Sequence, residues 1–360
     1  MLKIKFRLQK VLIIQQKMIG DVLMSSILFE SIKREYPNAE LHYVLNSYTF
    51  PAVEHHPFID KYHIVTDVMD KSSIALFELI KQLRREQFDV VIDAYGKISS
   101  LLITVFSGAK VKIGYQKYYT KLLYTHALER YTTSQKGDML AVENRMLLLS
   151  KIGIDYKKIT PKIYLQEKEK DNAKLLLEGF GINFNLPLYM ISVLGSDMQK
   201  TYPFEYMATL LDNIIAKEPQ AQLLFNYIPS QKKQAQEILS LCNKITQNRV
   251  YFNVLGKSLR EFMAITFCCD AMIGNEGGAV NMAKALGKDC FIVFSPQINK
   301  DSWFIETEIK HIAVHLSDYE KHGKEERELA KKDSFPFYKK LQPELIIPKL
   351  NAFLDNRKEG

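Results

Sequence analysis

The strongest constraint on this chain is an alternation of short apolar runs with longer helix-period stretches, played through twice. It opens with Val11–Ile14, four apolar residues in a row. A polar stretch follows, and then Gly20 and Asp21 stand at the head of a helical pattern over Val22–Tyr36. Strand-like runs recur at Leu41–Leu45, Tyr62–Val65, Val90–Asp93 and Val111–Gly114. Helical patterns lie between them at Ser73–Glu86 and Lys97–Phe106, and another follows at Met139–Ile152. Strands that are apolar throughout, rather than at every second residue, need cover on both faces. That is the pattern of a parallel sheet clothed by helices.

The alternation falters over Gln166–Pro187, a charged stretch ending in Gly, Asn and Pro, which predicts a domain junction with one helix in it. It then restarts, with strands expected at Tyr189–Leu194, Gln222–Asn226, Val250–Phe252, Ala271–Ile273 and Cys290–Phe294. Helices are expected at Phe204–Lys217, Ser230–Lys244, Ser258–Cys268 and Ala279–Leu286, and the tail "PELIIPKLNAFLDN" predicts a last amphipathic helix. A chain of 360 residues suits two domains of ordinary size. The expected organisation is α/β: a Rossmann-like domain over 1–166, a second over 167–340, and a carboxyl-terminal helix over 341–360. Two such domains, with parallel sheets facing a central cleft, would hold ligands beyond the carboxyl ends of their strands. Asp21 falls in such a place, after the first strand. Gly20 beside it, having no Cβ, admits a close approach.

Several function classes lose weight at once. No run of eighteen apolar residues suggests a spanning helix, and "VLII" after the basic Met1–Lys10 is too short for a signal-peptide core, so a cytoplasmic protein is expected. The four cysteines, Cys242, Cys268, Cys269 and Cys290, form no CxxC pair and read as free thiols. GxGxxG after the first strand, GxxxxGK[ST], HExxH and GxSxG are all missing, as is any Asp-x-Asp to hold a metal on a sugar nucleotide. No metal site, cofactor or nucleic-acid partner is therefore expected. The net charge of +8 favours acidic partners, and its densest basic stretch, Lys321–Lys340, reads as a solvated surface.

Two loops carry candidate chemistry. In "GNEGGAVNMAKALGK", Gly277 and Gly278 precede a helix, where bare N–H groups attract phosphate; alone, the pair is equally the mark of a tight turn. In "VLGSDMQKTYPFEYMATLL", Ser196 and Lys200 follow a strand, and Lys200 can set a point charge against a phosphate oxygen or simply face solvent. Asp21, on the residues alone, is most simply an N-capping aspartate.

Taken together these stretches resemble glycosyltransferase family 9, the ADP-heptose:lipopolysaccharide heptosyltransferases. The likeness rests on "VLIIQQKMIGDVLMSSILFESIKREYPNAELHYV", "FDVVIDAYGKISSLLITVFSGAKVKIGY", "GSDMQKTYP" and "LGKSLREFMAITFCCDAMIGNEGGAVNMAKALGKDCFIVFSP", in the family's order over most of the chain. The resemblance implies the two-domain arrangement called GT-B, with the last helix returning to the first domain. It further implies an inverting sugar transfer from a nucleotide donor without a tightly bound metal. Asp21 in "IGDV" matches the family's base. Lys200 matches its phosphate-binding lysine, Ser196 its neighbouring hydroxyl, and Thr201 joins that donor-binding set. "NEGGAVN" matches the donor loop "NDSGPMH", which brings in Glu276, Gly277, Gly278 and Asn281. Glu276 stands where the family has Asp, Gly277 where it has a hydroxyl residue, and Asn281 where it has His. Gln15, Lys17 and Met18 occupy positions that are usually basic or hydroxyl-bearing, and Lys17 supplies a positive charge from a shifted place. The implied partners are a nucleotide sugar, ADP-heptose by default, and an anionic glycolipid acceptor of the lipopolysaccharide core, met at the inner face of the cytoplasmic membrane. Alternatives are another nucleotide sugar on the same fold, or a homologue that binds nucleotide or glycan without turnover.

Overall fold

A computed structural model describes residues 8–70, 72–305 and 310–357. Of the basic opening, residues 1–7 lie outside the described residues. The chain divides into two compact units. One ends at Tyr164 and takes in Asp301–Trp303 from later in the chain; the other holds Leu165–Lys300 and the chain from Phe304 onward.

In the first unit six strands form one sheet: β1 (Lys10–Ile14), β2 (Glu40–Asn46), β3 (Lys61–Val65), β4 (Val90–Asp93), β5 (Val111–Tyr115) and β6 (His126–Leu128), in the order β3-β2-β1-β4-β5-β6. Every pairing is parallel; Leu12, for example, lies between His42 and Val91. Val11–Ile14 are fully buried, as an apolar strand covered on both faces must be. On one side Leu12, Ile14, Val44 and Val91 pack against Leu79, Leu83 and Ile103 from the covering helices. The single helix expected over Val22–Tyr36 is two, Ile19–Ser25 and Ile27–Glu35, joined at Ser26.

The second unit holds β7 (Leu188–Ser192), β8 (Gln222–Phe225), β9 (Ala271–Asn275), β10 (Asp289–Val293) and β11 (His311–Val314), all parallel, in the order β11-β10-β9-β7-β8. The strand expected at Val250–Phe252 is not one: only a single bridge, Leu223 to Val250, joins it to β8. β6 and β11 were not foreseen, each being too short to show a period. The helix of the expected junction, Glu167–Gly179, belongs to the second unit.

The carboxyl-terminal helix corrects an expectation. It spans Pro343–Asn356 and was expected to return to the first domain. Instead Ile346, Leu350, Phe353 and Leu354 are buried in the core of the second unit, with Leu211, Ile214 and Phe291. Phe353 meets Phe291 with ring centroids 5.7 Å apart, and Arg357 closes the helix with an ion pair to Asp289 at 2.8 Å. The four cysteines are free, and three are buried. Among the described residues no helix is long and apolar enough to cross a membrane.

Candidate functional site

In both sheets the strand order reverses beside the first strand of the unit. In the first, β1 has β2 on one side and β4 on the other; in the second, β7 has β8 and β9. Loops leaving such neighbours in opposite directions open a crevice at the carboxyl edge of the sheet.

In the first unit that crevice is a cavity of about 630 Å³. Asp21 lines it, with Lys17, Lys97, Arg130, Arg145 and Trp303. Asp21 is not an N-cap. Met18 takes that place, and Asp21 is the third residue of the helix Ile19–Ser25, with its side chain about one-third exposed. Gly20 is buried in the same first turn. The partner of Asp21 is a residue that sequence reading missed. Arg145, from the helix Leu140–Leu149, reaches Asp21 Oδ1 at 2.7 Å and lies 3.3 Å from the Asp21 carbonyl. Its Nε donates to Ser25 Oγ at 3.0 Å and a further N–H to the Ala141 carbonyl at 3.2 Å. Arg145 is buried, and these bonds fix its guanidinium and, through it, one oxygen of Asp21.

That helix is itself tied down. Glu143 accepts bonds from Gln135 N, Lys136 N, Asp138 N and Ser134 Oγ, which folds the preceding loop over it. Burial pushes the Glu143 carboxyl up, but these bonds outweigh it and hold it below its ordinary range. Arg130 lies over the Tyr115 ring, 3.9 Å from its centroid, and Tyr115 OH donates to the Asn144 carbonyl. The one signal in the sequence was Glu-Asn-Arg at 143–145, a polar triplet inside an apolar helical run.

In the second unit the loops after β7 and β9 meet. Asn275, at the end of β9, donates to the Ser192 carbonyl at 2.9 Å and accepts from Tyr202 N at 2.7 Å. Gly195 N donates to Thr201 Oγ1 at 3.0 Å, so Thr201 shapes the loop from within and is buried. Lys200 ends a short turn, Met198–Lys200, and faces Glu276 electrostatically. Ser196 is exposed, with its hydroxyl 3.1 Å from Asp197 Oδ2. Gly277 is the N-cap of the helix Gly278–Ala285 at φ +153°, where a side chain is strained; Asn281 lies one turn in. Glu276 Oε1 is buried with no hydrogen-bond partner among the described residues. Burial pushes this carboxyl up, Lys200 pulls it down and Asp197 pushes it up again. Lys200, Thr201, Glu276, Gly277 and Gly278 are thus brought to one edge of one sheet.

A group with metal-ligand chemistry stands apart from both loops. His42 Nδ1 and His63 Nε2, on β2 and β3, are 2.9 Å apart, and Glu86 completes a set whose ligand atoms lie within 4.8 Å of one another. Each is already engaged. His42 Nε2 bonds Glu40 at 2.6 Å, and Glu86 pairs with Lys61 and with Lys10. Those two lysines, Lys61 first, hold Glu86 down at about 2, and burial lowers His63 to about 4.

Comparison with known proteins fits this geometry. The model of glycosyltransferase family 9 (heptosyltransferase) matches residues 76–332, more than two thirds of the chain. Lipopolysaccharide heptosyltransferase 1 of Campylobacter coli is 24% identical over 294 residues, covering 79% of this chain and 83% of that protein. Among solved structures, a glycosyl transferase family 9 protein of Veillonella parvula superposes with a TM-score of 0.81 at 15% identity, over 96% of this chain and 97% of that one. E. coli heptosyltransferase WaaC with ADP-2-deoxy-2-fluoro heptose gives a TM-score of 0.61 at 15% identity, over 85% of this chain and 93% of that one. The fold is the GT-B class expected from the sequence, built from two Rossmann-like units. With a family match of this extent on that fold, the chain belongs to glycosyltransferase family 9, the heptosyltransferase family, and is a glycosyltransferase.

Proposed function

We propose that the protein is an inverting, metal-independent glycosyltransferase. It moves a sugar, heptose from ADP-heptose by default, onto a lipopolysaccharide core or related anionic glycan acceptor. The observation that carries this reading is the partly exposed carboxylate of Asp21, held by buried Arg145 inside a cavity whose other charged lining residues are all cations. Lys17, Lys97 and Arg130 suit an acceptor bearing phosphate or carboxylate groups. Asp21 Oδ2, outside the bond to Arg145, takes the proton of the acceptor hydroxyl as that oxygen attacks the anomeric carbon. General-base help of this kind is worth about 10²–10⁴-fold.

The second unit supplies the donor site. Lys200 and the N–H groups at Gly277 and Gly278 offset the charge growing on the departing diphosphate, which is the task a metal ion has elsewhere. Ser196 and Asn281 add neutral donors. Glu276 Oε1, buried and unpartnered, accepts from a hydroxyl of the donor. Another nucleotide sugar remains the second reading, favoured by Glu276, Gly277 and Asn281 standing where the family carries Asp, a hydroxyl residue and His. The work is placed in the cytoplasm, at the inner membrane face, where such acceptors are built.

Calorimetry with ADP and transfer in EDTA test this. Lys200→Ala is expected to weaken ADP binding at least about tenfold, the worth of one charge-assisted bond. Transfer is expected to persist in EDTA and to invert the anomeric configuration. Unchanged ADP affinity in Lys200→Ala, or retention of configuration, would remove the reading.

A further inference from the structure

From Ala94 to Leu128 the chain contains no acidic residue and five lysines, Lys97, Lys110, Lys112, Lys117 and Lys121. In a chain that is one-quarter charged, this is the longest acid-free stretch, and among the described residues it shows several large apolar side chains to solvent. Two elements within it show apolar groups to solvent. The helix Ile98–Phe106 exposes Ile98, Leu102 and Phe106, spaced four apart and so on one face. The turn after β5 exposes Tyr118, Tyr119, Leu122 and Leu123 within six residues, Tyr118 and Leu122 almost completely, at 102% and 95%.

The turn is built to stay that way. Its inward residues are polar or hydrogen-bonded: Thr120 Oγ1 donates to the Tyr115 carbonyl at 2.9 Å and accepts from Lys117 N at 2.7 Å. Tyr124 OH donates to Asp93 Oδ2 at 2.6 Å, and Tyr124 N reaches the Thr120 carbonyl. Lys117 Nζ bonds the Gly96 carbonyl, which fastens the turn beside the start of the helix. The turn is thus fastened beside the amino end of that helix, where Ile98 is exposed. The turn and the helix also border the Asp21 cavity, whose lining includes Tyr95, Lys97 and Tyr115.

We infer that the turn Lys117–Tyr124 and the outer face of the helix Ile98–Phe106 dock on an anionic lipid bilayer. The inference deepens the reading of a lipid-linked acceptor and rests on it for its purpose, though not for its test. Tyrosines settle at the headgroup level and leucines below it. The lysines, four of which have no acidic residue within seven positions in sequence, meet the negative surface potential. Scattered exposed apolar residues need no explanation, but a contiguous group of them does, and here the charge pattern selects the partner. Docked this way, the first unit holds its cavity beside the surface in which a glycolipid acceptor is anchored.

The test is co-sedimentation of the full chain with vesicles of phosphatidylcholine plus phosphatidylglycerol, and of phosphatidylcholine alone. The protein is expected on the mixed vesicles, less so as salt is raised. Tyr118→Ser with Leu122→Ser is expected to cut that partitioning at least about tenfold. Its melting temperature and its transfer to a delipidated, water-soluble acceptor should stay unchanged, because both side chains lie in solvent and outside the cavity. Lys121→Glu should weaken binding and flatten its salt dependence. Leu122→Trp should add a tryptophan emission that shifts to the blue with mixed vesicles. Asp21→Asn should bind vesicles normally, so that the chemistry and the docking fail separately. Equal binding by the double variant, or no emission shift from Leu122→Trp, would overturn the inference. So would a dimer in buffer that the double variant dissolves while vesicle binding persists, since that would assign the face to a second copy of the chain.

Discussion

That Asp21 lies in the crevice beyond the first strand was legible from its place after the first apolar run, but the guanidinium that pairs with it was not. Arg145 is 124 residues away in sequence, and only the packing of two helices brings it to 2.7 Å. On the proposed mechanism Arg145 is a positioning residue, acting through its bond to Asp21. Arg145→Met should lower kcat by about 10²-fold, the scale set by a carboxylate misplaced by an ångström, while ADP affinity in calorimetry stays the same. A loss confined to ADP binding would contradict that role. Glu276 makes the opposite kind of prediction. Its buried, unpartnered Oε1 is a cost to the empty protein, since burial has pushed its carboxyl up. Glu276→Gln removes the buried charge and should stabilise the ligand-free protein by about 1–2 kcal/mol, while weakening nucleotide-sugar binding. Thermal melts with and without donor read both effects. Lower stability together with unchanged donor binding would show that Glu276 is structural.

At the scale of elements, the apolar strands announced themselves because burial on both faces leaves an unbroken run, as in Val11–Ile14 and Val90–Asp93. The failures have physical reasons too. Val250–Phe252 has strand composition, yet it gains one bridge to β8 and no ladder. β6 and β11, of three and four residues, are set by their neighbours rather than by their own periods. The amphipathic pattern of the last helix was clear, but periodicity names a buried face and not what it is buried against. A tight constraint between elements is Gly274 in β9, at φ +130°, where an added Cβ would overlap the Ser192 carbonyl of β7. Gly274→Ala should destabilise the second unit by about 2–4 kcal/mol, combining backbone strain with overpacking. Denaturant titration checks it, and a loss below about 0.5 kcal/mol would mean that the two loops of the proposed donor site are less closely coupled than this packing implies.

For the whole molecule, buried histidines set the acid limit. His56 and His63 in the first unit, and His311 and His315 in the second, are each lowered by burial to about 4. The unfolded chain, titrating near 6.5, therefore binds more protons than the folded one between pH 6.5 and 4. Stability should fall as the pH drops through that window, by up to about 1.4 kcal/mol per pH unit for each histidine, and level off below it as far as these groups are concerned. His63→Asn should reduce the slope in thermal melts; an unchanged slope would remove His63 from the balance. The parallel α/β architecture and both candidate loops could be read from residue order, whereas the cavity, its cations and the pairing of Asp21 exist only once the chain is folded. The central claim is that the Asp21 carboxylate accepts the acceptor proton. The most direct measurement is the turnover of Asp21→Asn beside its affinity for ADP. Transfer should fall by about 10²–10⁴-fold with ADP binding within about twofold of the unsubstituted protein. Near-normal transfer by Asp21→Asn would contradict the account.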